Sequence, residues 1–331
     1  MSPNELFPRY YGRPIAKLSS LAKALDVDEA DLIEISSNTR KYWRKGRALQ
    51  KKDGTPRLTH NSVDPLKSIQ RRIKRVFLEK VAYPGYLLGG ISSDEVNRRG
   101  YLENAAIHSN KKILFSEDVK NFFPSTTSTL VHSIWIGVFN FHPVIANILT
   151  QLTTYDECLP QGWVTSSHLA NLALWNHEAQ TVSFFRSKGY CYSRFVDDVV
   201  VSSNHYITKD EKTFIVSELI HLFSRCGYKA KRSKHTIATS AGSTINQKKM
   251  RVGNLNVDNG RPTMPKSRRN NIRAAVFLCE KTLPCARNTE EYRRQWKKAS
   301  GLVASMKKLH PNESLKLRSR LNKCEVCAKV F

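Results

Sequence analysis

An α+β chain of two or three lobes is what this sequence predicts, on three observations. The clearest strand patterns lie mid-chain, near 111–125 and 191–203, whereas both ends show helical spacing. At 331 residues the chain is longer than one simple core by the usual prior of roughly 100–200 residues per domain. Charge is unevenly divided: 54 Lys+Arg against 28 Asp+Glu give +26, split as +9 over residues 1–100, −2 over 101–200 and +19 over 201–331. A hydrophobic content of 40 % with 9 % aromatics excludes a disordered polycation. Basic flanks fit a polyanion partner. The acidic middle needs its own reason, such as carboxylates that hold metal ions.

Other classes are set aside quickly. No run of about 18 apolar residues exists, so no membrane span and no membrane partner are expected. The start, MSPNELFPRY, lacks a basic stretch followed by an apolar one, so no secretory signal is expected. Seven cysteines, an odd number spread through the chain, suit a reduced cytoplasmic protein.

In chain order, residues 1–45 read as a helical layer, with Ile15, Leu18, Leu21 and Leu25 at helical spacing. RALQKKDGTPRLT (47–59) reads as a hairpin, because Asp53-Gly54 readily supplies turn dihedrals. From Asp64, DPLKSIQRRIKRVFLEKV is a basic amphipathic helix with Leu66, Ile69, Ile73, Val76 and Phe77 on one face. KKILFSEDVKNFFPS reads as a strand ending at Pro124-Ser125. TLVHSIWIGVFN (129–140) fits a buried helix, and a turn at Pro160–Gly162 leads into one long helix. CYSRFVDDVVVSS (191–203) reads as a β-hairpin with Asp197 and Asp198 at its tip. DEKTFIVSELIHLFSRCG is a helix ended by Gly227. Beyond Pro265 the chain is helical and rich in Arg and Lys, with breaks expected at Pro284 and Pro311.

Adjacent acids flanked by apolar strand residues are costly, since two like charges sit close together in a partly buried place. A divalent cation relieves that repulsion, and hard oxygen ligands suit Mg²⁺. Asp118, near the exit of a neighbouring strand, supplies a third carboxylate. Three carboxylates can hold two ions roughly 3.5–4 Å apart, the arrangement that clamps attacking and leaving oxygens in phosphoryl transfer.

The order of these segments is more specific than any one of them. An apolar strand carrying Asp118, then Pro160-Gln161-Gly162 opening a helix, then Phe195-Val196-Asp197-Asp198, resembles motifs A, B and C of reverse transcriptases. That resemblance implies a right-hand polymerase with fingers, a palm built on an antiparallel sheet and a helical thumb. Its catalytic residues would be Asp118, Asp197 and Asp198. Asp118, Val119, Asp197 and Asp198 would hold two Mg²⁺ ions, for which Mn²⁺ can substitute. Phe123 matches the aromatic that packs on the sugar and excludes a 2′-hydroxyl, with Phe122 next door an ordinary core aromatic. Gln161 and Gly162 match the pair beneath the incoming dNTP. Lys51 and Arg57 match the fingers cations that hold the triphosphate. Lys234 resembles the motif D lysine proposed to protonate pyrophosphate, with plain phosphate contact nearly as good a reading.

Asn104-Ala105-Ala106-Ile107-His108, just before motif A, looks like the Asn-Ala-x-x-His element of bacterial retron reverse transcriptases. It implies that Asn104 and His108 contact RNA or fix the approaching loop. The family's Val-Thr-Gly-Leu element is altered here to Val252-Gly253-Asn254-Leu255. The resemblance spans roughly 45–280. It divides the chain into an N-terminal helical region (1–45), fingers (46–110), a palm (111–260, with part of the fingers around 125–170) and a thumb (261–331). Arg268, Arg269, Arg273, Arg293, Arg294 and Lys297 would track an RNA–DNA hybrid through its backbone, with Trp296 either stacking on a nucleotide or facing the core.

By this resemblance the protein would bind a structured noncoding RNA as template and primer, start from a 2′-hydroxyl and make single-stranded cDNA. It would serve antiphage defence, with a separate effector protein. The 66 residues after Pro265 suit a thumb and not an added RNase H domain, so removal of copied RNA would fall to a host nuclease. Cys324-Glu325-Val326-Cys327 lacks the second ligand pair of a zinc site, which His310 and Cys285 would have to complete. Two rivals remain: another bacterial or group II-like reverse transcriptase with a protein primer or none, and a catalytically silent RNA-binding scaffold.

Overall fold

The computed structural model describes residues 3–50, 54, 56–240, 249–286 and 289–324. Its centre is a sheet of four strands, β1 (Ile113–Asp118), β2 (Cys191–Phe195), β3 (Asp198–Ser203) and β4 (Thr236–Thr239). They lie in the order β4-β1-β3-β2, and every pairing is antiparallel. Successive side chains point to opposite faces, so the sheet serves two cores at once. Ile113, Phe115, Val199 and Val201 face one. Leu114, Val200 and Ala238 face the other. Covering both faces explains why Val199-Val200-Val201 reads as an unbroken apolar run.

The first core is filled by helices from the N-terminal and central parts of the chain, including Leu18–Leu25, Leu66–Val76, Ser128–Gly137 and Pro143–Thr153. In Leu66–Val76 the apolar spacing works as expected, with Leu66, Ile69 and Ile73 buried and Arg71 and Arg75 exposed. Each such buried side chain contributes about 1.5–3 kcal/mol. The second core belongs to Lys266–Ala286, Glu290–Met306 and Pro311–Asn322, which pack Ile272, Val276, Val303, Met306, Leu317 and Leu321 together. The long helix Lys209–Arg225 starts at a capping box, in which Thr208 Oγ1 accepts from the Glu211 N–H while Glu211 accepts from the Thr208 N–H. It stops at Gly227, whose φ of 79° few other residues adopt. Among the described residues no helix is long and apolar enough to cross a membrane.

Several expected boundaries move. Residues 1–45 are not wholly helical. Arg9–Tyr10 pairs with Val81–Ala82 and Trp43–Lys45 pairs with His60–Ser62, since distant segments supply strand partners that local spacing cannot show. The strand expected over 111–125 spans only Ile113–Asp118, because Asn121 turns the chain in the left-handed region and Phe122–Ser125 forms a short helix. The single helix expected after Gly162 is two, Ser166–Leu172 and Glu178–Ser187, separated by turns over 173–177. Pro284 does not break its helix, which runs on to Ala286. There it removes one backbone hydrogen bond and crowds the carbonyl four residues back, and the helix ends two residues later. Pro311 opens a helix, a position where its missing N–H is harmless. Sequence reading missed the hairpin Arg251–Val252/Leu255–Asn256, which holds the altered element, with Gly253 at φ 56° in its turn.

Candidate active site

Register sets the first distance in the site. Asp118, the last residue of β1, lies directly opposite Asp198, the first of β3. Between β2 and β3 the chain turns on Val196 and Asp197, and the Val119 N–H donates to the Asp197 carbonyl at 3.0 Å. Three acids therefore gather at one end of the sheet. Asp197 occupies the turn itself, while Asp198 has already entered the strand. Val196 holds φ 60°, a left-handed value that is strained for a β-branched side chain.

The electrostatics follow from crowding. Asp118 is buried, and Lys234, on the turn Arg232–Lys234, places its ammonium on the Asp118 carboxylate. Burial, then the Asp197 charge, push the Asp198 carboxyl up to about 6, with Lys234 opposing and Asp118 reinforcing. Desolvation pulls Lys234 down, but the Asp118 hydrogen bond and the three carboxylate charges outweigh it and hold the ammonium above the ordinary lysine value. Among the described residues no three carboxylate, His or Cys side chains already converge on one point as a closed metal cage does. The donor set still fits a hard divalent cation: it is all oxygen, it repels itself, and one half-exposed lysine is its counter-charge.

Around these acids lie the other expected residues. Phe122 is buried against Tyr228, with ring centroids 5.1 Å apart, while Phe123 stays partly open. The Gln161 carbonyl accepts from the His60 N–H at 2.8 Å, joining the motif B turn to the ribbon Trp43–Lys45/His60–Ser62. Gly162 has φ 117°, and a Cβ there would sit 2.5 Å from the His60 carbonyl oxygen, so glycine is required. The fingers hairpin exists as Leu49–Gln50 paired with Pro56–Arg57, and Lys51 lies outside the described residues.

Of the two roles expected for Asn104 and His108, burial of both favours fixing the approaching loop over contact with RNA. Ser193 Oγ donates to Asn104 Oδ1 at 2.6 Å, and His108 reaches Ser193 and Ser202 at 2.7 Å each. With Ser193's one proton spent on Asn104, His108 Nε2 must carry the ring proton and Ser202 must donate to Nδ1. Burial holds His108 neutral by lowering its pKa to about 3. The element fixes its helix, Tyr101–Ile107, to β2 and β3. Among the thumb cations, Arg269 and Arg273 are bound to Glu313, and Arg294 pairs with Glu290 at 3.3 Å. Arg293 and Lys297 are exposed and Arg268 is half-buried. Trp296 turns inward, its indole donating to the Leu321 carbonyl at 3.1 Å. His310 accepts from the Met264 N–H at 3.1 Å and is thereby occupied, and Cys327 lies outside the described residues.

Sequence reading missed Arg194, Glu178 and Asn171, which sit directly behind the acidic turn. Arg194 is fully buried and bonded to all three stretches around it. A visible signal was present, a lone arginine within an otherwise apolar strand.

A four-stranded antiparallel sheet with helices against both faces and an acid-bearing turn at one end is the palm of a right-hand polymerase. Over 315 residues the chain is 32 % identical to the retron Se72 reverse transcriptase of Salmonella heidelberg (strain 579083-10), covering 95 % of this chain and 81 % of that protein. It is 29 % identical to the retron Ec48 reverse transcriptase of Escherichia coli, covering 88 % of this chain and 71 % of that one. This chain belongs to the retron reverse transcriptases. No protein-family model matches it. Among solved structures, a telomerase from Candida albicans with a fragment of telomeric RNA is similar at TM-score 0.45 and 9 % identity, over 86 % of this chain and 58 % of that one.

Proposed function

We propose that this protein copies part of a structured noncoding RNA into single-stranded cDNA at Asp118, Asp197 and Asp198, starting from a 2′-hydroxyl of that RNA. One observation carries the reading: the strand register sets Asp118 opposite Asp198, with Asp197 in the adjoining turn. Two Mg²⁺ ions, held by the three carboxylates and Val119, would supply the charge that stabilises attacking and leaving oxygens in phosphoryl transfer. The chain's own residues do the rest. Phe123, partly open beside buried Phe122, closes the pocket to a ribose 2′-hydroxyl. Gln161 and Gly162 are assigned the place beneath the incoming dNTP by their motif, in a turn already packed so closely on the His60 carbonyl that only glycine fits. Lys234, kept protonated by its acidic neighbours, is a proton source for departing pyrophosphate.

The larger layout follows the same reading. Residues 46–110 form fingers, 111–260 the palm with a fingers segment around 125–170, and 261–331 the thumb, after an N-terminal region 1–45. Exposed Arg293 and Lys297 and half-buried Arg268 are the thumb cations assigned to the hybrid backbone, with Arg269, Arg273 and Arg294 beside them. The enzyme acts in the bacterial cytoplasm within an antiphage system, alongside a separate effector. Purified protein with its RNA, Mg²⁺ and dNTPs is expected to yield cDNA joined to an RNA 2′-hydroxyl, read by debranching the product. A cDNA joined to a protein side chain would select the protein-primed alternative instead.

A further inference from the structure

Behind the acidic turn, three stretches of chain meet on one side chain. Arg194 lies on β2, three residues before Asp197, and is fully buried. Its guanidinium grips Glu178 with Nε to Oε1 at 2.5 Å and Nη2 to Oε2 at 2.7 Å. It has two further bonds to backbone: Nη1 donates to the Val196 carbonyl at 3.0 Å, and Nη2 to the Asn171 carbonyl at 2.8 Å. Glu178 is equally buried and also accepts from the Tyr192 hydroxyl at 2.8 Å. The backbone of Arg194 is tied as well, its N–H to the Tyr86 carbonyl and its carbonyl to the Leu88 N–H, both at 2.9 Å. Asn171 in turn donates to the Gly89 carbonyl at 2.8 Å.

The fold alone does not call for this arrangement. Replacing a buried ion pair by apolar residues of similar size is often neutral for stability, so burying a charge here needs another justification. Geometry offers one. The arginine fork is planar and its donors keep fixed angles, so it sets the position of whatever it binds. One of its partners is the carbonyl of Val196, the residue strained at φ 60° immediately before Asp197. Strain of that kind persists only where neighbours hold it.

We propose that Arg194, braced by Glu178, is the positioning residue of the acidic turn: it fixes the Val196 carbonyl against Asn171 and so holds Asp197 and Asp198 in working register with Asp118. This rests on reading those acids as the catalytic set. The glutamate orients the guanidinium, and the guanidinium orients the turn. Neither touches substrate.

The test replaces both partners, Arg194→Met with Glu178→Leu, which removes the charges together and leaves the Val196 and Asn171 carbonyls without their donor. Melting temperature, RNA affinity, dNTP KM and kcat are measured on the full chain with its RNA. The expected result is a folded protein that melts at a lower temperature, since the Val196 and Asn171 carbonyls and the Tyr192 hydroxyl lose their partners, with wild-type RNA binding, unchanged KM, and a kcat lowered about 100-fold, the scale of a misplacement of about 1 Å. A folded double variant with wild-type kcat overturns the proposal. Should the double variant not fold, Arg194→Lys decides: it keeps a charge against Glu178 but gives up the fork, so kcat should fall while RNA binding and KM stay as in wild type, and full kcat overturns the proposal. Asp197→Asn runs beside them. Synthesis retained in that variant would mean that the acidic set itself was wrongly assigned, a failure distinct from that of the brace.

Discussion

Adjacent phenylalanines show how much a single position decides. Phe122 packs against Tyr228 in the core, while Phe123 is left partly open four residues past Val119. Shrinking Phe123 to Ala is expected to lower discrimination against ribonucleotides by roughly 10- to 200-fold, the range one missing pocket contact is worth. Competition between dNTPs and rNTPs in primer extension measures it, and unchanged selectivity would assign the gate to another residue. That Asp118 would meet Asp197 and Asp198 was legible because acids within apolar strands are rare and these three come in a family-specific order. Which of their two expected roles Asn104 and His108 take was not legible, for the opposite reason. Polar side chains usually lie at the surface, and the serines that satisfy these two are 85 or more residues away in sequence. Arg194 was overlooked because its partner Glu178 sits on a separate helix, and no local spacing links them.

Among the elements, the helix Tyr101–Ile107 depends most on such distant bonds. Seven residues are too few for a helix to stand alone in water. His108, at its end, ties it to β2 and β3 only while neutral. In the folded protein burial lowers the His108 pKa to about 3 and that of His168 to about 4, against about 6.5 for unfolded histidine. As pH falls below about 6.5 the unfolded chain takes up these protons and the folded chain does not, so stability present above that pH is lost progressively on acidification. At pH 5 each histidine should cost about 2 kcal/mol. Melting temperature is therefore expected to drop between pH 7 and pH 5, and His108→Gln should make that drop shallower. An identical slope in the variant would contradict the buried network. Helix and strand types were mostly legible from periodicity. Boundaries were not, since Asn121 and the 173–177 turns interrupt patterns that remain apolar on either side.

For the molecule as a whole, the charge division now has a layout. The middle third, net −2, holds the three acids and most of the sheet, while the basic excess lies before and after it. The sheet joins the two cores, one face against the N-terminal and central helices and the other against the C-terminal ones. Displacing those helices relative to each other therefore strains the strands that carry Asp118 and Asp198. Sequence alone indicated the class and the acidic centre. That one sheet would serve both cores was hidden, because alternation along Val199-Val200-Val201 is invisible when both faces are apolar. The central claim is that synthesis depends on the acids gathered at the end of this sheet. It is tested most directly by measuring cDNA production and RNA affinity for Asp197→Asn beside wild type. The variant is expected to bind RNA as wild type does and to make no detectable cDNA, and cDNA made at the wild-type rate would show that synthesis does not need these acids.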